Sequence, residues 1–321
     1  QGSIYALIAL GYTLVYGVLL MINFAHSEVF MAGAFIGFFV IYAFEQSGFL
    51  AANTGIALLI VLAVGMLAST VTGVLVERIA YKPLRNAPRL VPLITAIGVS
   101  IALQQLFLLL FGGSTRSYPT VKYYVLPEIF RTDCSMVNGV EQCLGLDLIS
   151  TTYPVNFLGM ELFVRPLYFI IFLLSLFLMA VLWFIVQRTK VGRAMRAVSE
   201  DKNTASLMGV NVDRIIIVTF ILGAALAGAA GVMFALFNRQ VTPFMGFLPG
   251  IKAFTAAVLG GIGNIPGAMI GGLLLGMLES VMPGLLGLPV QLRDVVVFGV
   301  LVLILIFRPT GILGQSLSKK A

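Results

Sequence analysis

Charge is what this sequence has least of, because only 10% of its 321 residues are Asp, Glu, Lys or Arg. Hydrophobic residues make up 60% of the chain, and its mean hydropathy is +1.05. A folded monomer with so little polar surface cannot stay dissolved in water. The scarcity of charge therefore excludes soluble enzymes and soluble binding domains, and it predicts an integral membrane protein.

Side chains that carry chemistry are equally scarce. The chain has one histidine and two cysteines, and it contains no P-loop of the form GxxxxGK[ST], no HExxH zinc motif and no GxSxG nucleophile elbow. Nucleotide binding through a P-loop, zinc hydrolysis and serine hydrolysis each need one of these arrangements. We therefore expect no catalytic residue, no metal site and no cofactor bound by this chain.

What the sequence does have is a series of stretches free of charge. Each is as long as a bilayer crossing, for which about 20 apolar residues suffice. They cover residues 48–76, 90–115, 166–187, 215–238 and 253–278. A short apolar segment at 251–261 stops at a glycine-rich break, which is typical of interrupted helices. The predicted fold class is an all-α, polytopic transmembrane helical bundle of about eight or nine membrane segments, with room for discontinuous helices.

The net charge of +7 comes mainly from two short connections, residues 77–89 and 188–214. Basic connections between apolar spans mark the cytoplasmic side of a membrane protein, so we expect a lipid bilayer and no nucleic acid as the partner of these charges. Counting outward from them predicts an external N-terminus and a cytoplasmic C-terminus.

Three regions follow from this count. Residues 1–111 form the N-terminal transmembrane helices with the cytoplasmic loop 77–89, residues 112–165 form an external loop, and residues 166–321 form the C-terminal helices with the cytoplasmic loop 188–214. Both cysteines, Cys134 and Cys143, lie in the external loop. A disulfide between them is favoured in an oxidising compartment.

A polar break separates the first two apolar helices, and it contains Asn23, His26 and Glu28. Ionisable groups at membrane depth are costly and usually functional, so these residues are candidates for a translocation pathway or its gate. The alternative is that the break lies at the cytoplasmic surface, where the same residues are solvated caps of the second helix.

Glycine crowds the segment from 260 to 276. The spacing of four residues between Gly263, Gly267 and Gly271 is typical of helices that pack closely in lipid, as is the series Gly223, Ala227 and Gly231. An unwound stretch at Gly263 and Asn264 is also a candidate gate, and the two interpretations are compatible. Further along, Glu279 is either interfacial or paired with a basic group across the bundle, and Arg293 and Asp294 are interpreted as interfacial.

The loop 188–214 contains a short helical pattern. Ser199 is predicted to cap it, Glu200 lies in its first turn, and Gly209 suits the left-handed position that ends it. Ala205, Leu207 and Met208 are then expected to be exposed on a helix outside the membrane. This helix either docks onto a partner protein or rests on the lipid surface.

Several stretches together resemble the permease subunits of ATP-binding-cassette (ABC) importers for branched-chain amino acids. They are GSIYALIALGYTLVYGVLLMINFAHSE (2–28), ERIAYKPLR (77–85), VGRAMRAVSEDKNTASLMGVNVDRIIIVTFILGAALAGAAGVM (191–233), KAFTAAVLGGIGNIPGAMIGG (252–272) and RPTGILG (308–314). Ser27 departs from the resemblance, because the family usually has glycine there.

The resemblance implies a multi-pass protein of the bacterial inner membrane that works in a complex. Its implied partners are a second related permease, two cytoplasmic ATPases that hold ATP and Mg, and a periplasmic substrate-binding protein. In such permeases a cytoplasmic loop with Glu, Ala and Gly at roughly fixed spacing docks onto the ATPase. Glu200, Ala205 and Gly209 match that pattern here.

The sequence therefore predicts a permease subunit that forms part of the pathway for branched-chain or other neutral amino acids. The alternative is an ion-coupled secondary transporter of small amino acids or amides, including urea, with His26 and Glu28 as its coupling groups. An intramembrane enzyme is a third and weaker hypothesis. Nothing in the sequence separates leucine from alanine, proline, short amides or urea as the substrate.

Overall fold

The computed structural model describes most of the chain, and its gaps lie mainly in the region between the fifth and sixth helices. The described residues are 1–85, 87–88, 90–119, 134–137, 140–143, 153–157, 160–285, 287, 289–308 and 310–314. They form twelve α-helices and six short strands. The predicted external loop 112–165 therefore lies partly outside the described residues.

The helices are numbered along the chain. They are α1 (Gly2–Leu19), α2 (His26–Gln46), α3 (Phe49–Ala52), α4 (Thr54–Val76), α5 (Leu90–Phe111), α6 (Pro166–Arg188), α7 (Lys190–Glu200), α8 (Lys202–Leu207), α9 (Val212–Asn238), α10 (Phe247–Gly260), α11 (Ile265–Leu285) and α12 (Arg293–Phe307). The strands are β1 (Arg116–Ser117), β2 (Cys134–Val137), β3 (Val140–Cys143), β4 (Tyr153–Phe157), β5 (Met160–Val164) and β6 (Gln240–Val241).

Seven helices in the described part of the chain are long and apolar enough to cross a membrane. They are α1, α2, α4 with its continuation to Leu84, α5, α6, α9 and α11. With the shorter helices α10, of 14 residues, and α12, of 15 residues, they form the polytopic helical bundle that the sequence predicts. The predicted start of the cytoplasmic loop 77–89 was wrong, because Glu77–Tyr81 continues α4 as a π-helical turn.

The first helix is the centre of the bundle. Most of α1 is buried, whereas α5 and α6 bury less than a third of their most apolar segments. A helix that is apolar all round and enclosed by others is typical of the interior of a membrane bundle. The exposed apolar faces of α5 and α6 are suited to lipid or to another transmembrane subunit.

Small residues bring the helices into close contact. Gly272 of α11 packs on the backbone of Ala6, and Gly276 packs on Gly2, so α1 and α11 run antiparallel with almost no side chain between them. On α9, Gly223 faces Gly11 of α1 and Gly231 faces the carbonyl of Phe30 on α2. The small-residue series predicted on this helix therefore packs against two neighbouring helices.

The two basic connections lie at one end of the bundle, which we call the basic end. The Arg85 guanidinium contacts both the Glu77 carboxylate, at the end of α4, and the Asp213 carboxylate, in the first turn of α9. Partial burial lowers the pKa of Lys202 on α8, and the nearby Arg85 guanidinium lowers it further. The connections that the sequence placed on one side of the membrane are therefore also neighbours in space.

The opposite end of the bundle, which we call the strand end, is closed by strands β1 and β6. They pair antiparallel, with Arg116 opposite Val241. The Tyr118 hydroxyl donates to the Ala34 carbonyl at 2.7 Å, and burial raises the pKa of this tyrosine. These contacts attach the segment that follows α5 to α2 and α9.

The predicted disulfide can be tested by thiol labelling. Strands β2 and β3 form an antiparallel hairpin in which Cys134 is directly opposite Cys143. Opposed residues of an antiparallel pair have Cα atoms about 4.5–5.5 Å apart, within the range that a disulfide spans. We expect a maleimide to label neither cysteine until the protein is reduced, as read by intact mass. The control is Ser117→Cys with Cys134 and Cys143 both changed to serine, and its single exposed cysteine should be labelled without reduction. Labelling of Cys134 and Cys143 in the unmodified protein without reduction would contradict the disulfide.

Candidate functional site

The polar break between α1 and α2 lies inside the bundle. Only residues 20–25 are non-helical, because α2 already begins at His26. The His26 imidazole packs directly on Gly11, which lies in the middle of α1. A side chain at Gly11 would collide with this ring. The second helix therefore starts at mid-bundle depth, and the chain returns from the end of α1 to reach it.

Burial of the polar residues at this break excludes the surface interpretation. The exposed fractions of Asn23, His26 and Glu28 are 3%, 2% and 0%. The alternative in which they are solvated caps is wrong, because the first turn of α2 is covered by α1, α5 and α10. Buried polar groups need partners within the protein, and the neighbouring helices supply them.

Glu28 is the most strongly bonded group of the break. Its Oε1 atom accepts hydrogen bonds from Gln104 Nε2 at 2.8 Å, Ser100 Oγ at 3.1 Å and Ser27 Oγ at 3.2 Å. Its Oε2 atom has no hydrogen-bond partner among the described residues. The sequence did not predict Ser100 and Gln104 as partners of Glu28. Their spacing of four residues on an otherwise apolar helix puts both on one face, and that was the available signal.

Asn23 and His26 face other neighbours. The Tyr81 hydroxyl, at the end of the π-helical turn after α4, donates to Asn23 Oδ1 at 2.8 Å. The His26 ring packs edge-on against Tyr12, with ring centroids 4.9 Å apart. The three predicted pathway residues are thus brought to one level of the bundle, but each contacts a different helix. They do not form a single cluster.

A cavity of about 300 Å³ opens beside Glu28. Its polar lining includes Ser27, Ser100 and Gln104, the three residues that donate to Glu28. Its apolar lining comes from α1, the break, α5 and α10, and the residues are Tyr12, Phe24, Ile97, Ile101, Phe247 and Ile251. A chamber with an apolar wall and a few polar groups suits a small molecule with an apolar side chain.

Gly263 and Asn264 lie elsewhere, in the turn between α10 and α11. Asn264 Nδ2 donates to the Leu313 carbonyl at 2.7 Å, and its Oδ1 accepts from the Gly267 amide at 3.2 Å. Asn264 therefore caps α11 and fastens the segment near Leu313 to this turn. The structure does not bring Gly263 or Asn264 to the polar break.

The short helix of the loop 188–214 is α8, and its cap differs from the prediction. Asp201 is the cap, because its Oδ1 accepts from the amides of Asn203 at 2.8 Å and Thr204 at 3.2 Å. The predicted cap Ser199 lies inside α7 and donates to the Arg196 carbonyl at 2.7 Å. Glu200 is the last residue of α7 and not part of the first turn of α8. Aspartate and serine cap helices about equally well, so sequence alone did not separate them.

The end of α8 presents two apolar side chains to the outside. Leu207 and Met208 are 87% and 81% exposed, whereas Ala205 is only 4% exposed and packs inward, contrary to the prediction. Gly209 has a φ of +83°, as predicted for the residue that ends this helix. The Gly209 amide bonds the Ser206 carbonyl and the Val210 amide bonds the Ala205 carbonyl, which is the paired closure typical of a helix end at glycine.

Helix α7 fixes α8 to the bundle. Its Met195 and Val198 side chains are buried, and the Arg196 guanidinium donates to the Val186 carbonyl at the end of α6. The apolar side of α7 is buried in the protein, so this side cannot contact a lipid surface. Leu207 and Met208 thus project from a rigidly held helix at the basic end.

A charge cluster at the strand end, of which Lys252 and Glu279 are buried, was not predicted as a unit. Lys252 Nζ of α10 lies 2.8 Å from Glu279 Oε1 of α11 and 2.6 Å from Asp294 Oδ1 of α12. Pairing of Glu279 with a basic group across the bundle is therefore confirmed, and Lys252 is the partner. In the described part of the chain, no group of three or more His, Cys, Asp or Glu side chains could hold a metal ion.

One protein family matches almost the whole chain. The family model described as "Branched-chain amino acid transport system / permease component" matches residues 1–305. The chain is 43% identical over 314 residues to the high-affinity branched-chain amino acid transport system permease protein BraD of Pseudomonas aeruginosa, which covers 98% of this chain and 92% of the relative. No solved structure matches.

Two further relatives carry different substrates, one amino acids and the other a sugar. The high-affinity branched-chain amino acid transport system permease protein LivH of Escherichia coli K12 is 42% identical over 315 residues, covering 98% of this chain and 92% of the relative. The fructose import permease protein FrcC of Rhizobium meliloti is 37% identical over 108 residues, covering 31% of this chain and 29% of the relative. The similarity to amino acid permeases thus extends over the whole chain, and the similarity to the sugar permease over about a third.

Proposed function

Because this chain belongs to the family of branched-chain amino acid transport system permease components, we propose that it conducts neutral amino acids across the bacterial inner membrane while partner ATPases supply the energy. The chain is a multi-pass transport component and not an enzyme. The proposed complex contains a second related permease, two cytoplasmic ATPases that bind ATP and Mg, and a periplasmic binding protein. The proposed orientation puts the basic end in the cytoplasm and the strand end in the periplasm.

The observation that carries this proposal is the surface around α8. Exposed Leu207 and Met208 stand beside Gly209, where the absence of a side chain leaves room for a partner, and Ala205 packs the helix against the bundle. Exposed apolar side chains that are surrounded by polar residues mark sites of interaction with another surface. We call Ser199, Glu200, Leu207, Met208 and Gly209 the docking surface, with Ala205 buried beneath it, and we assign it to the ATPases.

The pathway is assigned to the chamber beside Glu28. Asn23, His26 and Glu28 are buried where α2 starts at mid-bundle depth, and α10 begins beside the first turn of α2. Interrupted helices at the middle of the membrane are where many transporters place their substrates. Gly263 and Asn264, at the turn next to the segment near Leu313, are assigned to a gate at the cytoplasmic end.

Motion of the ATPases would reach the pathway through rigid contacts. Helix α8 adjoins Arg85, which joins the end of α4 to the start of α9, and α9 packs on α1 and α2. A displacement of the docking surface would therefore shift the helices that enclose the chamber. ATP binding would favour one of two conformations and thereby open the pathway to one side.

An ion-coupled secondary transporter remains less well supported. That hypothesis needs His26 and Glu28 to exchange an ion, yet Glu28 is bonded to α5 while His26 packs on α1. The full-length similarity is to permeases of a transport system with several components.

Cysteine crosslinking tests the docking surface directly. With Cys134 and Cys143 replaced by serine, Met208→Cys should crosslink to an ATPase subunit in the purified complex when a short bifunctional thiol reagent is added. Ile94→Cys provides the control, because Ile94 is 68% exposed on α5, outside the docking surface. We expect no ATPase adduct from the control. Free labelling of Met208→Cys in the assembled complex, with no adduct, would refute docking at this surface.

The chamber makes a separate prediction about uptake. Changing Gln104 to Leu removes the 2.8 Å hydrogen bond to Glu28 Oε1. Loss of a partner for a buried polar group costs about 1–3 kcal/mol, so we expect leucine uptake by the reconstituted complex to fall by about tenfold. Glu28→Gln should lower uptake similarly, because it replaces the carboxyl group that accepts these hydrogen bonds.

The matched control for this prediction is Gln105→Leu, at the adjacent position of α5, where the side chain is exposed. Its uptake should stay close to that of the unmodified protein. Uptake that is equally reduced in both glutamine variants would show a general effect on α5, and unchanged uptake in Gln104→Leu and Glu28→Gln would remove Glu28 from the pathway.

A further inference from the structure

A second cavity, of about 360 Å³, lies at the strand end of the bundle. It is enclosed by residues of α1, α9, α10, α11 and α12 together with the segment between β6 and α10. One wall is apolar and is made by Phe234, Phe244, Met245 and Leu248. The other wall carries four charged side chains, Lys252, Glu279, Arg293 and Asp294. A single cavity thus combines an apolar surface with a compact set of charges.

The four charges compensate one another. Lys252 and Arg293 are cations, Glu279 and Asp294 are anions, and the sum is zero. Lys252 Nζ and Arg293 Nε both approach Glu279 Oε1, at 2.8 Å and 3.8 Å. Glu279 is 4% exposed, and its Oε2 atom has no hydrogen-bond partner among the described residues. Glu279 also interacts with the Tyr5 hydroxyl, which lines the same cavity, so the chain itself supplies one further donor to this carboxylate.

A zwitterionic ligand carries one positive and one negative charge, so it can replace ion pairs within the cluster by ion pairs with itself. Buried ions are tolerated when opposite charges and hydrogen bonds compensate them. A ligand carboxylate can accept from Lys252 and Arg293, and a ligand ammonium can donate to Glu279 Oε2 and to Asp294, without changing the total charge. A neutral amide or urea offers neither charge, so it cannot replace the ion pairs. The apolar wall is suited to an aliphatic side chain.

We infer that this cavity is the site at which the permease receives its substrate, and that its charged cluster binds both charges of the amino acid. The inference rests on the proposed transport function and adds to it the residues that hold the substrate carboxylate and ammonium. Lys252 and Arg293 bind the carboxylate, Glu279 and Asp294 bind the ammonium, and the wall at Phe244 and Leu248 contacts the side chain. The cluster also joins α10 to α11 and α12, so substrate entry would loosen these three helices.

Photo-crosslinking locates the substrate directly in the unmodified complex. A leucine analogue with a diazirine in its side chain is added without the binding protein, irradiated, and mapped by mass spectrometry. We expect labelled residues within 234–248. Leucine should prevent the labelling, whereas 3-methylbutylamine, which lacks the carboxylate, and 4-methylpentanoate, which lacks the ammonium, should compete more weakly by about tenfold or more, as for a lost charge-assisted hydrogen bond.

A charge-neutral double variant tests the cluster. Lys252→Met with Glu279→Gln removes one cation and one anion together, so no uncompensated charge stays buried. We expect the KM for leucine uptake to rise by about tenfold or more, with the complex still assembled as judged by size-exclusion chromatography. A cluster that only fastens helices would instead change assembly and leave the KM unchanged. The control Glu45→Gln, an exposed carboxylate on α2 near the same end, should behave as the unmodified protein.

The outcomes separate this inference from the proposed function. Labelling confined to the chamber of Phe24 and Ile97, or a leucine KM that the double variant leaves unchanged, overturns the site while ATP-driven uptake still stands. Equal competition by the amine, the acid and leucine overturns zwitterion recognition. Absence of ATP-driven uptake of every amino acid tested would overturn the proposed function itself.

Discussion

Binding of the ATPase subunits is expected to weaken by about a hundredfold when Leu207 and Met208 are both changed to serine, because each loss of about 1.4 kcal/mol is tenfold in affinity. The two side chains are 87% and 81% exposed, so almost all of their apolar surface is available to a partner. Full burial of such a side chain contributes about 1.5–3 kcal/mol. ATP-driven uptake should fall in parallel when the ATPase concentration is near the dissociation constant of the unmodified complex.

A titration of detergent-solubilised permease with ATPase subunits measures this change. The matched control is Leu109→Ser with Leu110→Ser, two adjacent leucines of α5 near the strand end that are 83% and 61% exposed. The control should bind ATPases with unchanged affinity. An unchanged affinity in the Leu207 and Met208 variant would favour the lipid-surface interpretation of α8, and equal weakening in both variants would mean that apolar surface in general, not the docking surface, is being measured.

Loss of the folded bundle is the expected result of changing Gly228 to leucine. Gly228 of α9 meets α4, where a Cβ atom would lie 2.6 Å from the Gly65 carbonyl oxygen, 2.7 Å from Ser69 Oγ and 2.8 Å from Met66 Cα. Gly33 of α2 faces the same point, and Ser69 Oγ donates to the Val29 carbonyl at 2.7 Å. Three helices thus meet through backbone atoms, which cannot turn aside as side chains can.

Overpacking of this kind costs about 1–3 kcal/mol where side chains can move, and we expect a cost at or above the upper value here. The yield of monodisperse protein after detergent extraction, measured by size-exclusion chromatography, should therefore collapse. Gly98→Leu is the control, because a side chain at Gly98 on α5 would meet open space. Extraction of Gly228→Leu at the yield of Gly98→Leu would contradict the packing of α2, α4 and α9.

Helix positions were the part of the fold that the sequence predicted best. The end of α4 followed from charge, since the charge-free stretch 48–76 stops where Glu77 follows the last residue of the helix. The start of α9 was placed too late, at Ile215, because Asp213 and Arg214 looked like loop residues. In the structure Asn211 caps the helix and Arg85 neutralises Asp213, so charges are accommodated in its first turn.

The depth of the polar break was beyond the reach of a single sequence. Asn23, His26 and Glu28 read equally well as solvated caps or as buried groups, because the difference depends on partners far along the chain. Tyr81, Ser100 and Gln104 provide those partners, and nothing local connects them to residues 23–28. Burial of polar groups is decided by tertiary contacts, which the helical pattern does not encode.

The sequence contained an indication of the Lys252–Glu279 pair that the prediction did not use. Lys252 is a lone cation in an apolar helix, and Glu279 is a lone anion in the next one. Isolated ionisable residues within membrane segments are usually paired and functional, so each was a reason to look for the other. Their pairing distance of 2.8 Å and the cavity beside them could come only from the packing of α10 on α11.

The measurement that most directly tests the central claim is leucine uptake into proteoliposomes that hold the complete complex. With loaded binding protein outside and ATP with Mg inside, the account predicts uptake that requires ATP and that continues when proton and sodium gradients are abolished by ionophores. Uptake by the permease chain without any ATPase, driven by either gradient and indifferent to ATP, would contradict it.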